Sequence, residues 1–178
     1  RKVDRLALCA EYVEPRDLAH HLANINRFCG ATRYPISVAQ HSVYVSLLVS
    51  PEAALAGLLH DAAEAYLNDV NKWLKATPEF ARYRAAETAA QHVIMARFGV
   101  DWAAAEAPVE EADRLMLRFE VEQGFGQGFQ WPPGYGPTRV EERERVGAWE
   151  LWPWRLAEQR FLARFQDVWD AALFERLA

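Results

Sequence analysis

Cysteine is scarce in this sequence of 178 residues, which contains only Cys9 and Cys29. Two cysteines are too few for the disulfide scaffold of a small secreted domain, and their spacing is not that of a CxxC motif. The sequence therefore predicts a protein of a reducing compartment, and we expect a cytoplasmic location.

Long apolar runs and an excess of positive charge are also lacking. No run approaches the roughly 18 uninterrupted apolar residues of a membrane helix. Residues 1–15 include Glu11 and Pro15, which a signal peptide would exclude from its apolar core. We therefore expect neither membrane association nor a signal peptide. The formal net charge of -5 disfavours a nucleic-acid interface, which needs a clustered basic face, but it permits a small anionic ligand.

Apolar residues at helical spacing are abundant. Hydrophobic residues make up 51% of the chain, enough for the core of one domain over residues 1–178. Alternating strand patterns are scarce, so the sequence predicts an all-α bundle of about five or six main helices. We expect helices over residues 16–25, 37–49, 51–67, 78–98, 108–123 and 153–177, with Ser37 and Ser50 as N-caps and Pro108 in a first turn. Residues 124–137, rich in Gly, Pro and aromatics, form a loop in this interpretation, either a lid or a subunit contact.

The expected third helix carries an unusual polar group in the stretch LLHDAAEAYLND, residues 58–69. His60 and Glu64 are i, i+4 neighbours and Asp61 lies on the same side of the helix. Leucines and alanines surround them, and an unpaired carboxylate in apolar surroundings costs several kcal/mol or takes up a proton. The group therefore needs a basic partner, a hydrogen-bond network or a metal ion.

Two further polar residues occupy apolar helix faces. His41 shares a face with Val38 and Val45 in the expected second helix, and Asp113 lies at the edge of an apolar stripe in the expected helix over residues 108–123. Two imidazoles and two carboxylates on three helices suit a divalent transition metal. Such a set leaves coordination positions open for water and substrate, as in catalytic rather than structural metal sites.

These positions, QHS at 40–42, HDAAE at 60–64 and Asp113, resemble the His…His-Asp…Asp signature of the HD-domain metal-dependent phosphohydrolases. The bacterial 5′-deoxynucleotidase branch is the most similar one, since INRFCGATRYPISVAQHS at 25–42 resembles its Asn-Arg-aromatic segment. The similarity extends over roughly residues 18–123 and more loosely over 158–165, and small phage-type HD triphosphohydrolases share much of the pattern. The segment 124–154 has no counterpart in the short deoxynucleotidases.

The resemblance implies a role for each matching residue. It implies metal ligands at His41, His60, Asp61 and Asp113, catalytic acids at Glu64 and Asp69, phosphate contact by Arg27 and a place near the nucleoside for Phe28. Lys72, just after Asp69, adds positive potential over the pocket in this interpretation. The implied cofactor is one divalent ion per subunit, with Mn, Co, Fe, Ni, Zn and Mg all compatible with these ligands.

The expected activity is hydrolysis of a deoxynucleoside 5′-monophosphate to nucleoside and phosphate, by in-line attack of water on phosphorus. Either Glu64 or Asp69 would handle the protons. The alternatives are a deoxynucleoside triphosphate triphosphohydrolase and a non-catalytic nucleotide sensor that keeps the metal for binding. The expected partner is a small-molecule nucleotide, and the resemblance implies a homo-oligomer.

Overall fold

Helices joined by short turns make up the fold. The structure, a computed structural model, describes residues 8–126 and 128–177. Its helices are α1 (Pro15–Asn24), α2 (Val38–Leu48), α3 (Ala54–Leu59), α4 (Glu64–Leu67), α5 (Lys72–Lys75), α6 (Ala81–Arg97), α7 (Trp102–Phe125), α8 (Val140–Val146) and α9 (Trp154–Leu177). Single-turn 3-10 segments occur at Ala10–Tyr12, Arg27–Gly30, Pro51–Ala53 and Pro78–Phe80. Within the described ranges, β-structure is limited to one isolated bridge between Asn26 and Ser37. The all-α prediction is confirmed.

Helix α2 lies at the centre of the bundle and contacts α1, α3, α7 and α9. It begins as predicted, because the Ser37 side chain accepts a hydrogen bond from the backbone amide of Gln40 at 3.1 Å. Every residue from 38 to 46 is buried, including Gln40 and His41. The polar side chains of a helix enclosed on all sides must form hydrogen bonds with other protein groups. His41 therefore needs buried hydrogen-bond partners.

Close packing of α3 on α2 brings the two histidine-bearing segments together. The glycine at position 57 permits this approach, because a Cβ there would lie only 3.1 Å from the Cα of Ser46 and 3.3 Å from Val49 Cγ2. The side chain of Ser46 also donates to the carbonyl of Ala54 at 2.7 Å. Gly57 thus sets the separation between α2 and α3.

The predicted third helix is interrupted in the structure. Residues 60–63 depart from regular α-helical hydrogen bonding and divide the expected helix into α3 and α4. Across the interruption, amides bond to carbonyls three residues earlier: Ala62 to Leu59 and Glu64 to Asp61, both at 3.0 Å. Ser50 occupies the N-cap position as predicted, but its side chain makes no capping hydrogen bond to the backbone. The tightened turn reorients the side chains of residues 60 and 61 relative to a continuous helix.

The start predicted at Pro108 is wrong, since α7 begins at Trp102. Asp101 caps it by accepting a hydrogen bond from the amide of Ala104 at 3.3 Å. Alanines at 103–105 favour helix and offset the cost of a proline in the second turn. The earlier start gives α7 24 residues, as in α9. In the part of the chain that the structure describes, no helix combines the length and apolarity needed to cross a bilayer.

Candidate metal centre

His41 and His60 each direct their Nε2 atom toward one point. His41 Nδ1 lies 3.0 Å from a carboxylate oxygen of Glu120, and His60 Nδ1 lies 2.8 Å from the carbonyl oxygen of Gly57. Because these oxygens accept, each Nδ1 carries a proton, and the neutral form of each ring presents a lone pair at Nε2. The two Nε2 atoms are 3.2 Å apart. This is the tautomer and orientation that metal-binding histidines adopt.

Two carboxylates reach the same point. Asp61 Oδ2 lies 3.2 Å from His60 Nε2 and 3.7 Å from His41 Nε2. Asp113 Oδ1, contributed by α7, lies 3.0 Å from His41 Nε2 and 3.9 Å from His60 Nε2. Ligand atoms of His41, His60 and Asp61 all lie within 4.8 Å of one another. The structure therefore brings together all four residues for which the resemblance implies metal ligation.

Three of the five separations fit ligands of one divalent ion, whereas His41 Nε2 to Asp61 Oδ2 at 3.7 Å and His60 Nε2 to Asp113 Oδ1 at 3.9 Å are longer. Two atoms that each bind an ion at about 2.1 Å lie roughly 3.0–3.4 Å apart in octahedral or tetrahedral geometry. The side chain of His41 is fully buried, whereas those of Asp61 and Asp113 are 24% and 42% exposed. The centre is therefore fixed on its inner side and open to solvent on the carboxylate side, where further ligands can enter.

Both carboxylates are ionised at neutral pH. Burial alone raises the pKa of Asp61, but His60 and His41 outweigh it and hold that pKa well below the ordinary range. Burial likewise raises the pKa of Asp113, and the contact with His41 outweighs it, which gives a pKa of about 2. The centre thus supplies anionic oxygen ligands across the physiological range.

A proton occupies the centre when no metal is bound. Burial lowers the pKa of His41 and the Arg27 cation lowers it further, but Glu120 and Asp113 outweigh both and raise it to about 9. A metal ion bound at this point would displace the proton, so its affinity would fall as the pH falls.

Glu120, which sequence reasoning did not identify, connects the metal centre to Arg27. Its side chain is fully buried, with Oε1 against His41 Nδ1 and Oε2 accepting from Arg27 Nε at 2.8 Å. Arg27 Nη1 also lies 3.4 Å from Asp61 Oδ2. The guanidinium is therefore held beside the centre by two carboxylates. Its pKa is raised, because Glu120 and Asp61 outweigh burial.

Gln91 on α6, also missed, holds the turn at residues 60–63. Its Oε1 accepts from the amide of Ala63 at 3.0 Å and its Nε2 donates to the carbonyl of Leu59 at 2.6 Å. These two bonds pair backbone groups on either side of His60 and Asp61. Gln91 therefore fixes the interruption that directs both ligands.

The two predicted catalytic acids follow the turn at residues 60–63. Glu64 is buried, and its Oε2 has no hydrogen-bond partner among the residues that the structure describes. Burial, Asp61 and Asp69 raise the pKa of Glu64 well above its ordinary value. Asp69 is half-buried just beyond α4, and burial raises its pKa as well. Both acids thus lie in the electrostatic field of the centre and favour their protonated forms more than free carboxyls do.

Of the other two predicted substrate contacts, Phe28 is half-buried and Lys72 is exposed. Phe28 follows Arg27 in a turn where residues 28 and 29 have φ values of 57° and 53°, and the Arg27 guanidinium carbon lies 5.5 Å from the Phe28 ring centre. Lys72 is exposed and its Nζ donates to the hydroxyl of Tyr135 at 3.1 Å. A cavity of about 420 Å³ adjoins the cluster, and its lining includes His60, Asp61, Glu64, Lys75 and Gln91. Its size suits a small molecule.

Two known proteins are similar to this chain over most of its length. The uncharacterized protein YfdR of Escherichia coli is 35% identical over 153 residues, which cover 85% of this chain and 82% of YfdR. The chain belongs to the YfdR family. The uncharacterized protein RCAP_rcc00048 of Rhodobacter capsulatus is 35% identical over 144 residues, with 71% of each chain covered. No family model matches the sequence.

Glu120, one of the two residues missed in this YfdR-family chain, carries a weak sequence signal. Glu120 lies seven residues after Asp113, hence on the same face of α7, between the buried Phe119 and Val121. An acid in such a position predicts a buried partner. The identity of that partner depends on the packing of α7 against α2 and the segment of Arg27, which local spacing does not specify.

Glu64→Gln is expected to stabilise the metal-free protein at neutral pH and to have little effect in acid. A raised folded-state pKa means that stability is intact below the unfolded-state pKa and falls as the pH rises toward the folded-state value. Glutamine keeps the volume and removes this loss, worth about 1–3 kcal/mol for a buried group without a partner. Urea unfolding in EDTA at about pH 4 and about pH 8 measures the difference in unfolding free energy between Glu64→Gln and the wild-type protein.

Glu110→Gln, at an exposed position of α7, is the matched control and should change stability little at either pH. An equal effect of Glu64→Gln at both pH values would contradict the protonation of Glu64 in the folded state.

Proposed function

We propose that this protein is a divalent-metal-dependent phosphohydrolase of nucleotides. Its proposed substrate is a deoxynucleoside 5′-monophosphate, and its products are nucleoside and orthophosphate. The observation that carries the proposal is the convergence of His41, His60, Asp61 and Asp113 from separate segments, at the positions that resemble the HD-domain signature. A divalent ion bound there supplies Lewis-acid stabilisation of the phosphoryl group and lowers the pKa of water.

Arg27 is the proposed phosphate-binding residue. Glu120 and Asp61 hold its guanidinium beside the metal ligands, and Glu120 occupies its Nε atom. The terminal amino groups remain suited to bidentate contact with phosphate oxygens. Because the side chain is already ordered, little conformational entropy is lost when phosphate binds.

Glu64 and Asp69 are the proposed proton carriers. A water oxygen bonds to phosphorus while the bond from phosphorus to the 5′ oxygen breaks, and the electron pair of that bond stays on the 5′ oxygen. Protonated Glu64 gives its proton to this leaving oxygen, and Asp69 takes a proton from the attacking water. The burial of Glu64 supports the first role because it raises the pKa of the carboxyl well above its ordinary value and so favours the protonated form.

Product analysis tests the proposal. The purified protein is incubated with deoxynucleoside mono- and triphosphates in the presence of Mn²⁺ or Co²⁺, and the products are separated by ion-exchange chromatography. Nucleoside and orthophosphate are expected from the monophosphate, and turnover should stop in EDTA. Triphosphate release would assign the protein to triphosphohydrolases instead. Tight nucleotide binding without turnover in the presence of any metal would instead favour a non-catalytic nucleotide sensor.

A further inference from the structure

A segment between α7 and α8, here called the strap (residues 128–138), carries aromatic side chains that the proposed chemistry does not use. Phe129, Trp131 and Tyr135 are each half-buried. Surface loops are usually polar, and contiguous apolar side chains that stay partly exposed mark binding sites.

The end of α7 that precedes the strap is fastened to the segment that carries Arg27. The amide of Arg33 donates to the carbonyl of Gly124 at 2.9 Å, and Arg33 Nη2 donates to the carbonyl of Phe125 at 3.0 Å. Gly126 has a φ of 73°, and a Cβ at this position would collide with the Arg33 guanidinium. The end of α7 therefore has a fixed position relative to the segment of Arg27.

The far end is fastened to the same helix. Thr138 is buried, and its hydroxyl donates to Glu122 Oε2 at 2.7 Å and accepts from Arg143 Nε at 2.8 Å. Both ends of the strap are thus held by the last turns of α7.

Between these ends, the strap contacts Lys72 directly and Phe28 through Phe125 of α7. On one side, ring centres are 5.6 Å apart for Phe28 and Phe125, 5.1 Å for Phe125 and Phe129, and 5.2 Å for Phe129 and Trp131. On the other side, Tyr135 accepts a hydrogen bond from Lys72, three residues after Asp69. An aromatic surface that begins next to Arg27 thus has a second cation, Lys72, at its other border.

We propose that the strap binds the nucleobase of the substrate. A flat aromatic ring attached to an anionic phosphate matches this combination of aromatic side chains and cations, with the phosphate at Arg27 and the base on Phe129 and Trp131. The inference rests on the proposed function, because Arg27 is the phosphate site. The strap then selects nucleotides over phosphate esters that lack a base.

Binding measurements test this assignment without turnover. A 2′-deoxynucleoside 5′-monophosphate and 2-deoxyribose 5-phosphate are titrated calorimetrically into Glu64→Gln protein with Mn²⁺. The nucleotide is expected to bind roughly tenfold more tightly than the sugar phosphate, since base stacking on aromatic side chains contributes on that order. This comparison needs no change in the strap.

The double substitution Phe129→Ala, Trp131→Ala in the same protein should weaken nucleotide binding roughly tenfold and leave sugar-phosphate binding unchanged. Trp154→Ala is the matched control, because Trp154 is an exposed tryptophan that contacts His20 and Arg155. Circular dichroism melting checks that each variant is folded.

Equal affinity for nucleotide and sugar phosphate, or no binding of either, would overturn the assignment. A double variant that changes only the oligomeric state in light scattering would also overturn it and make the strap a contact between copies. Base-dependent binding together with absent hydrolysis in the unmodified chain would support the strap and reject the hydrolase. Hydrolysis without base-dependent binding would support the hydrolase and reject the role of the strap.

Discussion

The double variant His60→Ala, Asp61→Ala is expected to lose Mn²⁺ binding and nucleotide hydrolysis. Removing a group that only orients a metal ligand costs roughly 10–100-fold in affinity or activity. Deleting two ligands should therefore cost at least about a hundredfold in each. The remaining pair, His41 and Asp113, lie 3.0 Å apart and offer only two donors.

Thermal unfolding gives a measurement that does not depend on activity. Saturating Mn²⁺ should stabilise the wild-type protein by about 2.7 kcal/mol at a hundred times its Kd, because the folded site binds the ion and the unfolded chain does not. The double variant should show no such gain, and Asp167→Asn, at an exposed position of α9, should behave as wild type. Unchanged metal stabilisation in the double variant would place the ion elsewhere.

The four candidate metal ligands could be selected from the sequence because each is a polar residue in an apolar helical pattern. A histidine in the apolar face of α2 and an acid at the edge of the stripe in α7 conflict with local periodicity, and the structure places both beside His60 and Asp61. Such conflicts between local pattern and residue type are expected at functional sites. Helical spacing therefore drew attention to these residues, and the resemblance to the HD-domain signature implied their role as ligands.

The surroundings of the ligands could not be predicted in the same way. Gln91, on α6, holds the turn at residues 60–63. It lies 28 residues along the chain from Ala63 and 32 from Leu59. Nothing in the sequence around Gln91 distinguishes it from a surface glutamine, because its partners are backbone groups of another segment. The missed break in the third helix has the same cause, since its tightened turn depends on that contact. Helix periodicity specifies a face, whereas these pairings depend on packing between helices.

Glu120→Ala is expected to destabilise the protein by about 3–5 kcal/mol, the usual cost of removing one partner of a buried ion pair. The substitution leaves the Arg27 guanidinium, whose side chain is 10% exposed, without its closest anion. It also removes the acceptor from His41 Nδ1. Urea unfolding in EDTA measures the loss, and Glu110→Ala at an exposed position of the same helix is the control.

The conservative variant and the paired variant identify the origin of this loss. Glu120→Gln keeps the volume and an oxygen that accepts from His41, so it should fold more stably than Glu120→Ala but bind Mn²⁺ roughly 10–100-fold more weakly than wild type. Arg27→Met combined with Glu120→Leu removes both charges, and it should be less destabilised than Glu120→Ala because no uncompensated charge stays buried. If the paired variant were instead the less stable one, lost packing rather than an unpaired guanidinium would explain the cost. Glu120 would then fill space beside the metal centre without coupling Arg27 to His41.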